Sequence, residues 1–214
     1  MDVFVPFDAC DPKTRLSDLL DADERETVAR AMLRDVISAL DATDHQPTVL
    51  ATADVDCEVP VRVDDRPLTP AVNDALDSVD GPAAVVMADL ALVTPGALAG
   101  LFAPDADVVL APGLGGGTNA LVARDPSFRV DYHGLSYLDH REAAAAAGCD
   151  VRTVDSFRLA VDVDAPADLV EVLVHTDGHT AETLRSMGVQ LTTTERRNAV
   201  TRYPESGDES QSNG

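Results

Sequence analysis

Short apolar runs alternate with longer amphipathic segments along the first half of the chain. The runs predict buried strands over residues 2–6, 48–52, 61–63, 83–90 and 107–112. Between them, apolar residues recur at helical spacing and predict helices over residues 23–40, 71–78 and 94–102. Strands that alternate with helices on so short a period indicate βαβ crossovers, and therefore an α/β protein with a mostly parallel sheet.

The second half departs from this strict alternation. A glycine-rich stretch over residues 113–117 runs into a strand that ends at Ala123, and an alanine-rich helix ends near Gly148. Residues 157–174 predict a strand, a turn and a helix. The last residues, 205–214, have the polar composition of a disordered tail, so we predict a single domain over residues 1–204 followed by that tail.

Composition narrows the function classes. The chain has 38 acidic and 16 basic residues, a formal net charge of -22, and a single lysine, Lys13. The acidic residues are spread through the amphipathic segments, which is typical of a halophilic surface and excludes nucleic-acid binding for want of a basic stripe. The N-terminus resembles no signal peptide and no apolar run could span a membrane, so we expect a cytoplasmic protein with no membrane contact.

Two cations follow the first predicted strand. Lys13 and Arg15 flank Thr14 in a polar loop, and ligands of open α/β sheets bind beyond the carboxyl ends of the strands. An ammonium and a guanidinium together suit a polyphosphate, because they can neutralise charge that builds on a leaving pyrophosphate. The spacing is not that of a P-loop, and a solvated loop is the alternative interpretation.

Carboxylates follow two other predicted strands. Asp89 ends the apolar run over residues 83–90, and a buried carboxylate must be paired, hydrogen-bonded or bound to a metal. Asp162 and Asp164 end the strand predicted after residue 157, and we expect one of them to meet Asp89 and to hold Mg²⁺ with it. The alternative role for Asp164 is to cap the helix that opens at Ala165.

The glycine-rich stretch is a candidate anion site. Its backbone N–H groups can approach an anion, and Thr118 and Asn119 add side-chain donors. Gly134, Ser136 and His140 follow in the sequence and suit a small phosphorylated acid. For His140 the alternative is an exposed position in the first turn of a helix.

With these motifs in this order, the chain resembles the 2-phospho-L-lactate guanylyltransferases of coenzyme F-420 biosynthesis. The resemblance runs over residues 1–174 and is carried by "KTRLS", "VVMADLALV", "GGGTNAL", "HGLSYLDH" and "DVDAPADL". It implies a three-layer α/β/α, Rossmann-like nucleotidyltransferase fold of the glycosyltransferase-A type with a mixed sheet. It also implies that GTP and (2S)-2-phospholactate give lactyl-2-diphospho-5′-guanosine and pyrophosphate; phosphoenolpyruvate or 3-phosphoglycerate remain alternative acids.

The same resemblance implies roles for individual residues. Lys13, Arg15 and Asp89 are the expected catalytic groups. The expected nucleotide-binding residues are Pro6, Lys13, Arg15, Asp54, Asn73 and Asp89. The expected acid-binding residues are Thr118, Asn119, Gly134, Ser136 and His140. The expected magnesium ligands are Asp89, Asp164 and Asp162. We also expect a homodimer, built by the segment between Ala123 and Phe157. The alternatives are a nucleotidyltransferase for a sugar phosphate or a cofactor precursor, and a non-catalytic nucleotide-binding regulator.

Overall fold

The structure is a computed structural model that describes residues 1–193 and 198–202. Its strands are β1 Asp2–Phe7, β2 Pro47–Ala51, β3 Val61–Val63, β4 Ala83–Val86, β5 Val108–Pro112, β6 Thr118–Ala123, β7 Val151–Thr153, β8 Val189–Thr193 and β9 Asn198–Arg202. Its α-helices are α1 Ala22–Asp41, α2 Leu68–Asp77, α3 Pro95–Phe102, α4 Ser136–Ala146, α5 Phe157–Ala160, α6 Asp168–His175 and α7 His179–Ser186. A 3-10 helix, Thr14–Leu16, lies in the loop after β1.

A seven-stranded sheet in the order β3-β2-β1-β4-β6-β5-β7 forms the centre of the molecule. Its neighbours pair in parallel except at β6, which is antiparallel to both β4 and β5. Strands β8 and β9 form a separate antiparallel pair. The predicted α/β class and the mixed, mostly parallel sheet are confirmed.

Alternate strand residues bury opposite faces of this sheet, which makes three layers. Val3 and Val5 pack on one face with α1 and α3 residues, whereas Phe4 packs on the other face with residues of α2 and α4. Strand β4 is buried on both faces along its whole length, which explains its uninterrupted apolar sequence. A crevice is expected between β1 and β4, because the chain adds strands to one side of β1 before it returns to the other.

A third apolar cluster packs the loop after β1 against the C-terminal helices. Leu16 and Leu20 are buried from this loop, and they join residues of α1, α6 and α7. These contacts fix the polar loop on the crevice although its own sequence has few apolar residues. Asp35 of α1 contributes to the same junction, because its carboxylate accepts hydrogen bonds from the N–H groups of His179 and Thr180 at the start of α7.

Several local predictions were wrong. Strand β4 ends at Val86 rather than at residue 90, because its last ladder partner on β6 is Ala120 and the chain then turns. Residues 157–160 form the short helix α5 instead of a strand, and the residues that follow are extended without joining the sheet. Helix α1 begins at Ala22, one residue before the predicted start, and its N-terminus is closed by a capping box between Asp21 and Glu24.

Other elements went unpredicted. Strand β7 and the unit formed by α7, β8 and β9 have weak or short apolar patterns, and they depend on contacts with the rest of the fold. The predicted tail, residues 205–214, lies outside the described residues. Within residues 1–193 and 198–202, no helix combines the length and the apolar composition that a bilayer span requires.

Candidate active site

Lys13 contacts two carboxylates that are distant in the sequence. Its Nζ lies 2.7 Å from Oδ2 of Asp89 and 2.9 Å from Oδ1 of Asp164. Arg15 adds a longer contact, 3.3 Å from its Nη1 to Oδ2 of Asp164, and its side chain is 75% exposed. The structure therefore brings the predicted cationic loop and two of the predicted acidic residues together at one rim of the sheet.

Asp89 retains an unused acceptor. Its Oδ1 is buried and has no hydrogen-bond partner within the described residues, although its Oδ2 accepts from Lys13. An unsatisfied buried carboxylate oxygen costs roughly 1–3 kcal/mol, so this atom is a candidate ligand for a bound cation. Burial raises the pKa of Asp89, against the opposing effect of the Lys13 ammonium.

The charge state of Lys13 is set by the same contacts. Burial by itself would lower the pKa of Lys13, but the carboxylates of Asp89 and Asp164 outweigh it and raise that pKa above its ordinary value. Lys13 is therefore a permanent cation at neutral pH. It can compensate a carboxylate or a phosphate equally well.

Asp162 and Asp164 reach the site from an extended segment after α5. Val161 and Val163 are buried in the core, so the two aspartates lie on the opposite, more open side. The N–H of Val163 donates to the carbonyl oxygen of Asp89, which holds the segment beside the end of β4. Both carboxylates contribute to the raised pKa of Asp89, after burial, so both lie close to it.

Asp164 does not cap α6. Helix α6 begins at Asp168, whose own carboxylate accepts hydrogen bonds from the N–H groups of Asp164 and Ala165. The side chain of Asp164 points to Lys13 and Arg15 instead. The helix-capping alternative is therefore wrong, because Asp168 supplies the local acceptor.

Two adjoining cavities open at this rim. The first has a volume of about 350 Å³ and is lined by Lys13, Arg15, Asp89 and Asp164. The second, of about 460 Å³, has mostly apolar walls from β2 and α2, and its polar members are Asp8, Thr52, Asp64, Asp65 and Arg66. Both are lined by Pro6, Phe7, Asp8 and Met87. A charged cleft that continues into an apolar pocket matches the polyphosphate and base ends of a nucleotide.

Two predicted nucleotide-binding residues lie outside the linings of both cavities. Asp54 is exposed beyond the end of β2. Asn73 of α2 binds the backbone of Val130 at both ends of its amide, through its Nδ2 and its Oδ1. The structure gives Asn73 this packing role, and its contact with a nucleoside stays a prediction.

The predicted acid-binding residues form a connected group. The N–H of Thr118 donates to Oγ of Ser136, and Nδ1 of His140 lies 2.9 Å from Oγ1 of Thr118. Nε2 of His140 accepts from the N–H of Asp131, so Nδ1 carries the proton and donates to Thr118. Burial lowers the pKa of His140 to about 4, which makes it a neutral, buried partner rather than the exposed residue of the alternative interpretation.

Asn119 connects this group with the carboxylates. Its Nδ2 donates to Oδ1 of Asp162 at 3.1 Å and to the carbonyl oxygen of Leu159 at 3.0 Å. Gly113 lies against the same amide, since a Cβ there would stand 2.5 Å from Oδ1 of Asn119. The glycine-rich loop is therefore fixed beside the segment that carries the acidic residues.

Backbone donors remain open in this loop and in the loop that precedes α4. The N–H groups of Gly115, Gly117 and Gly134 have no hydrogen-bond partner within the described residues. Gly134 has a φ of 50°, a left-handed conformation that favours glycine. The free N–H groups, more than the mutually bonded side chains of Thr118 and His140, are the available donors for an anion.

Comparison with known proteins identifies the family of this chain. The family model described as "Guanylyl transferase CofC like" matches residues 1–203. The chain belongs to this family. It is 59% identical over 202 residues to the 2-phospho-L-lactate guanylyltransferase of Halomicrobium mukohataei, covering 94% of this chain and 100% of the relative. It is 60% identical to the protein of the same name from Natronomonas pharaonis, covering 94% of this chain and 99% of the relative.

Solved structures agree on the fold of this guanylyl transferase family member. A protein described as a nucleotide-diphospho-sugar transferase, from Desulfovibrio desulfuricans, superposes with a TM-score of 0.71 at 16% identity, covering 86% of this chain and 94% of the other. A CMP:2-keto-3-deoxy-manno-octonic acid synthetase complexed with CTP superposes with a TM-score of 0.53 at 12% identity, covering 80% and 96%. The predicted family, nucleotidyltransferase class and fold are confirmed.

Sequence reasoning missed residues that the structure places at the site. Arg25, 8% exposed, holds the Lys13 loop, and Phe7 and Met87 line both cavities. A signal for Arg25 was present in the sequence, since it falls on the apolar stripe of α1 that continues through Val28 and Met32. The pocket residues had no such signal, because they come from separate elements.

Proposed function

We propose that this protein joins GMP from GTP to (2S)-2-phospholactate in the cytoplasm, giving lactyl-2-diphospho-5′-guanosine and pyrophosphate in coenzyme F-420 biosynthesis. The names of its relatives supply the substrates. The observation that carries the proposal is the contact of Lys13 with both Asp89 and Asp164, inside a cleft at the carboxyl ends of β1 and β4. The contact supports the proposal, because a triphosphate requires both a cationic counter-charge and carboxylates that can hold a metal ion.

The nucleotide fits the two adjoining cavities in one orientation. The triphosphate would lie in the charged cleft against Lys13 and Arg15, and the guanosine would enter the apolar pocket between β2 and α2. Pro6 lies where the cavities meet and would contact the sugar. The ionised carboxylate of Asp64, whose pKa is lowered to about 2 by its hydrogen bonds from Arg66, gives the pocket an acceptor for the N–H groups of a base.

Magnesium fits the acidic residues of this cleft. Across residues 1–193 and 198–202, no group of three or more His, Cys, Asp or Glu side chains converges as an all-protein metal cage would need. Mg²⁺ seldom uses such a cage, because it binds one or two carboxylates together with substrate phosphates and water. The unused Oδ1 of Asp89 and the carboxylate of Asp164 provide this set, with Asp162 beside them.

The acid substrate would lie on the glycine-rich side. Free N–H groups at Gly115, Gly117 and Gly134 can receive its phosphate or carboxylate, and Ser136 lies next to them through its bond with Thr118. Because Asn119 binds Asp162, this anion site and the magnesium ligands belong to one continuous surface. The incoming phosphate would therefore approach the α-phosphorus from the side opposite the Lys13 loop.

The reaction requires the protein to position its two substrates and to stabilise the charge that develops on them. A phosphate oxygen of the acid attacks the α-phosphorus, the bond from that phosphorus to the bridging oxygen breaks, and pyrophosphate leaves with the electron pair. Bound Mg²⁺ would neutralise phosphate oxygens during this displacement. Lys13 and Arg15 would stabilise the charge on the departing pyrophosphate, and the glycine-loop donors would hold the nucleophile in line.

Pyrophosphate release tests the proposal directly. The protein should be assayed with GTP and Mg²⁺ at high potassium chloride concentration, which screens its net charge of -22, with 2-phospholactate, phosphoenolpyruvate and 3-phosphoglycerate as separate acceptors. We expect turnover with 2-phospholactate. Tight GTP binding without turnover on any acid would indicate a regulator instead, and turnover only with a sugar phosphate would indicate the other transferase class.

We also propose a homodimer. The apolar side chains of Leu114, Leu135 and Leu138 are 76%, 56% and 47% exposed. Leu135 lies against Gly116, two residues after Leu114, and Leu138 follows Leu135 by one helical turn, so we take the three as one apolar surface. Changing Leu135 and Leu138 together to aspartate should halve the mass measured by light scattering. The control is Val174→Asp, on an exposed position of α6. A monomeric wild-type protein would reject the dimer.

A further inference from the structure

Arg25 is a buried arginine whose guanidinium lies against the loop that carries Lys13. Its Nε donates to the carbonyl oxygen of Pro12 at 3.3 Å, and its Nη1 to that of Leu20 at 3.5 Å. Its Nη2 donates to Oδ1 of Asp11. The side chain of Arg25 is 10% exposed, whereas that of Asp11 is 67% exposed. The bonds to the loop backbone are therefore the protected part of this contact.

The loop needs such a support because its backbone is strained. Asp11 has a φ of 51° and Lys13 a φ of 55°, and both lie in the left-handed region that residues other than glycine seldom adopt. Conformations of this kind persist only where surrounding contacts over-determine them. Pro12, between the two strained residues, is where Nε of Arg25 binds. On the far side, the buried Leu16 fixes the 3-10 helix that follows.

Packing alone does not explain why a charged residue occupies position 25. It belongs to the buried stripe of α1, next to Val28 and Met32, where a charged group is costly unless it is paired. Within the described part of the chain, its hydrogen-bond partners all lie in the loop between β1 and α1. Arg25 does not itself line the charged cleft, although Ala29 and Met32 of the same helix do. Any effect on a ligand there must pass through the loop.

We propose that Arg25 is a positioning residue for guanylyl transfer, which holds the Pro12 carbonyl and thereby keeps Lys13 in the conformation that directs its Nζ at Asp89 and Asp164. The inference rests on the proposed function, because it gives Lys13 its task on the triphosphate. The guanidinium of Arg25 does not itself act on the substrate, because Arg25 does not line the charged cleft. It fixes the distance between the Lys13 ammonium and the carboxylates of the metal site.

A matched pair of arginine substitutions separates positioning from simple stability. Arg25→Met removes the guanidinium below the loop, and Arg124→Met removes another that binds the carbonyl oxygens of Ala106 and Phe102 at the opposite end of the sheet. We expect Arg25→Met to lower kcat/KM for GTP by about 10²-fold, since a small misplacement of a catalytic group has effects of this size. Arg124→Met should change kcat/KM by less than about threefold at a comparable loss of melting temperature.

A double-mutant cycle with Lys13 gives the deciding readout. In a Lys13→Ala background there is no ammonium left to position, so Arg25→Met should cost less than about threefold there. Arg25→Lys, which retains a donor for the Pro12 carbonyl, should recover part of the wild-type rate and serves as the test variant if Arg25→Met does not fold. KM for the acid substrate should stay unchanged in all of these variants.

The outcomes that overturn the proposal are distinct from failure of the proposed function. Equal costs of Arg25→Met with and without Lys13, or equal effects of Arg25→Met and Arg124→Met, would show that Arg25 is only a stability residue. If the wild-type protein turns over no acid, the proposed function fails. The same cycle can then be measured as GTP affinity, where additive effects of Arg25→Met and Lys13→Ala would reject the positioning role by itself.

Discussion

Lys13→Ala should lower kcat/KM for GTP by about 10²- to 10³-fold, the usual cost of removing one preorganised donor from a developing charge. The ammonium is held 2.7 Å from Asp89 and 2.9 Å from Asp164, and no other lysine exists in the chain to replace it. Arg15 cannot replace the ammonium of Lys13, because its guanidinium is mostly exposed and lies near Oδ2 of Asp164 rather than between the two carboxylates. Initial rates of pyrophosphate release at varied GTP concentration measure the effect.

A second measurement separates this role from a structural one. Removing Lys13 leaves the carboxylates of Asp89 and Asp164 without their cation, so the free variant should bind Mn²⁺, a paramagnetic substitute for Mg²⁺, more tightly than the wild type. Lys13→Arg retains the charge with a different shape and should fall between the two in rate. An unchanged kcat/KM in a folded Lys13→Ala protein would remove Lys13 from the mechanism.

Asp89→Asn should reduce metal-dependent turnover by about 10³-fold or more. The substitution retains the size of the side chain but removes the charge, and it puts an amide in a place where Oδ1 has no hydrogen-bond partner in the described protein. Asparagine retains a side-chain oxygen that can accept the hydrogen bond from Lys13, so the variant should remain folded. Rates at saturating GTP over a range of Mg²⁺ concentration measure the first effect, and thermal melting the second.

The control for this variant is Asp18→Asn, an exposed carboxylate in the same loop region, which should leave the rate within about threefold. Direct Mn²⁺ titration in the presence of GTP adds a readout that does not depend on turnover. Full activity of Asp89→Asn in Mg²⁺, or undiminished Mn²⁺ binding, would contradict the assignment of Asp89 as a metal ligand.

The strongly acidic composition makes the single lysine of the cleft exceptional. The chain carries 38 acidic residues against 16 basic ones, and its one lysine lies in the cleft between two carboxylates. A protein that uses arginine for its other cations and retains a lysine here gains a compact point charge that can exchange a carboxylate for a phosphate oxygen.

The sequence pattern was most informative where one element buries a strong apolar stripe. The buried strands β1, β2 and β5 and the helix α1 followed from local periodicity, and the early cations and Asp89 followed from their positions after strands. It failed at residues 157–164, whose alternating Val161 and Val163 read as a strand. Residues 157–160 instead form α5, and residues 161–164 lie beside the end of β4, where Val163 donates to the carbonyl oxygen of Asp89 without forming a strand.

The sequence by itself determined the class of fold, the family and the types of charged group that a nucleotide site requires, because these depend on short-range patterns and on motifs that lie within single segments. Only the tertiary structure decided which groups meet. Lys13 and Asp164 are 151 positions apart, and the strain that Arg25 supports in the loop arises from contacts between separate elements. Hydrogen bonds and buried charges are properties of distance in space, which no local pattern of residues specifies.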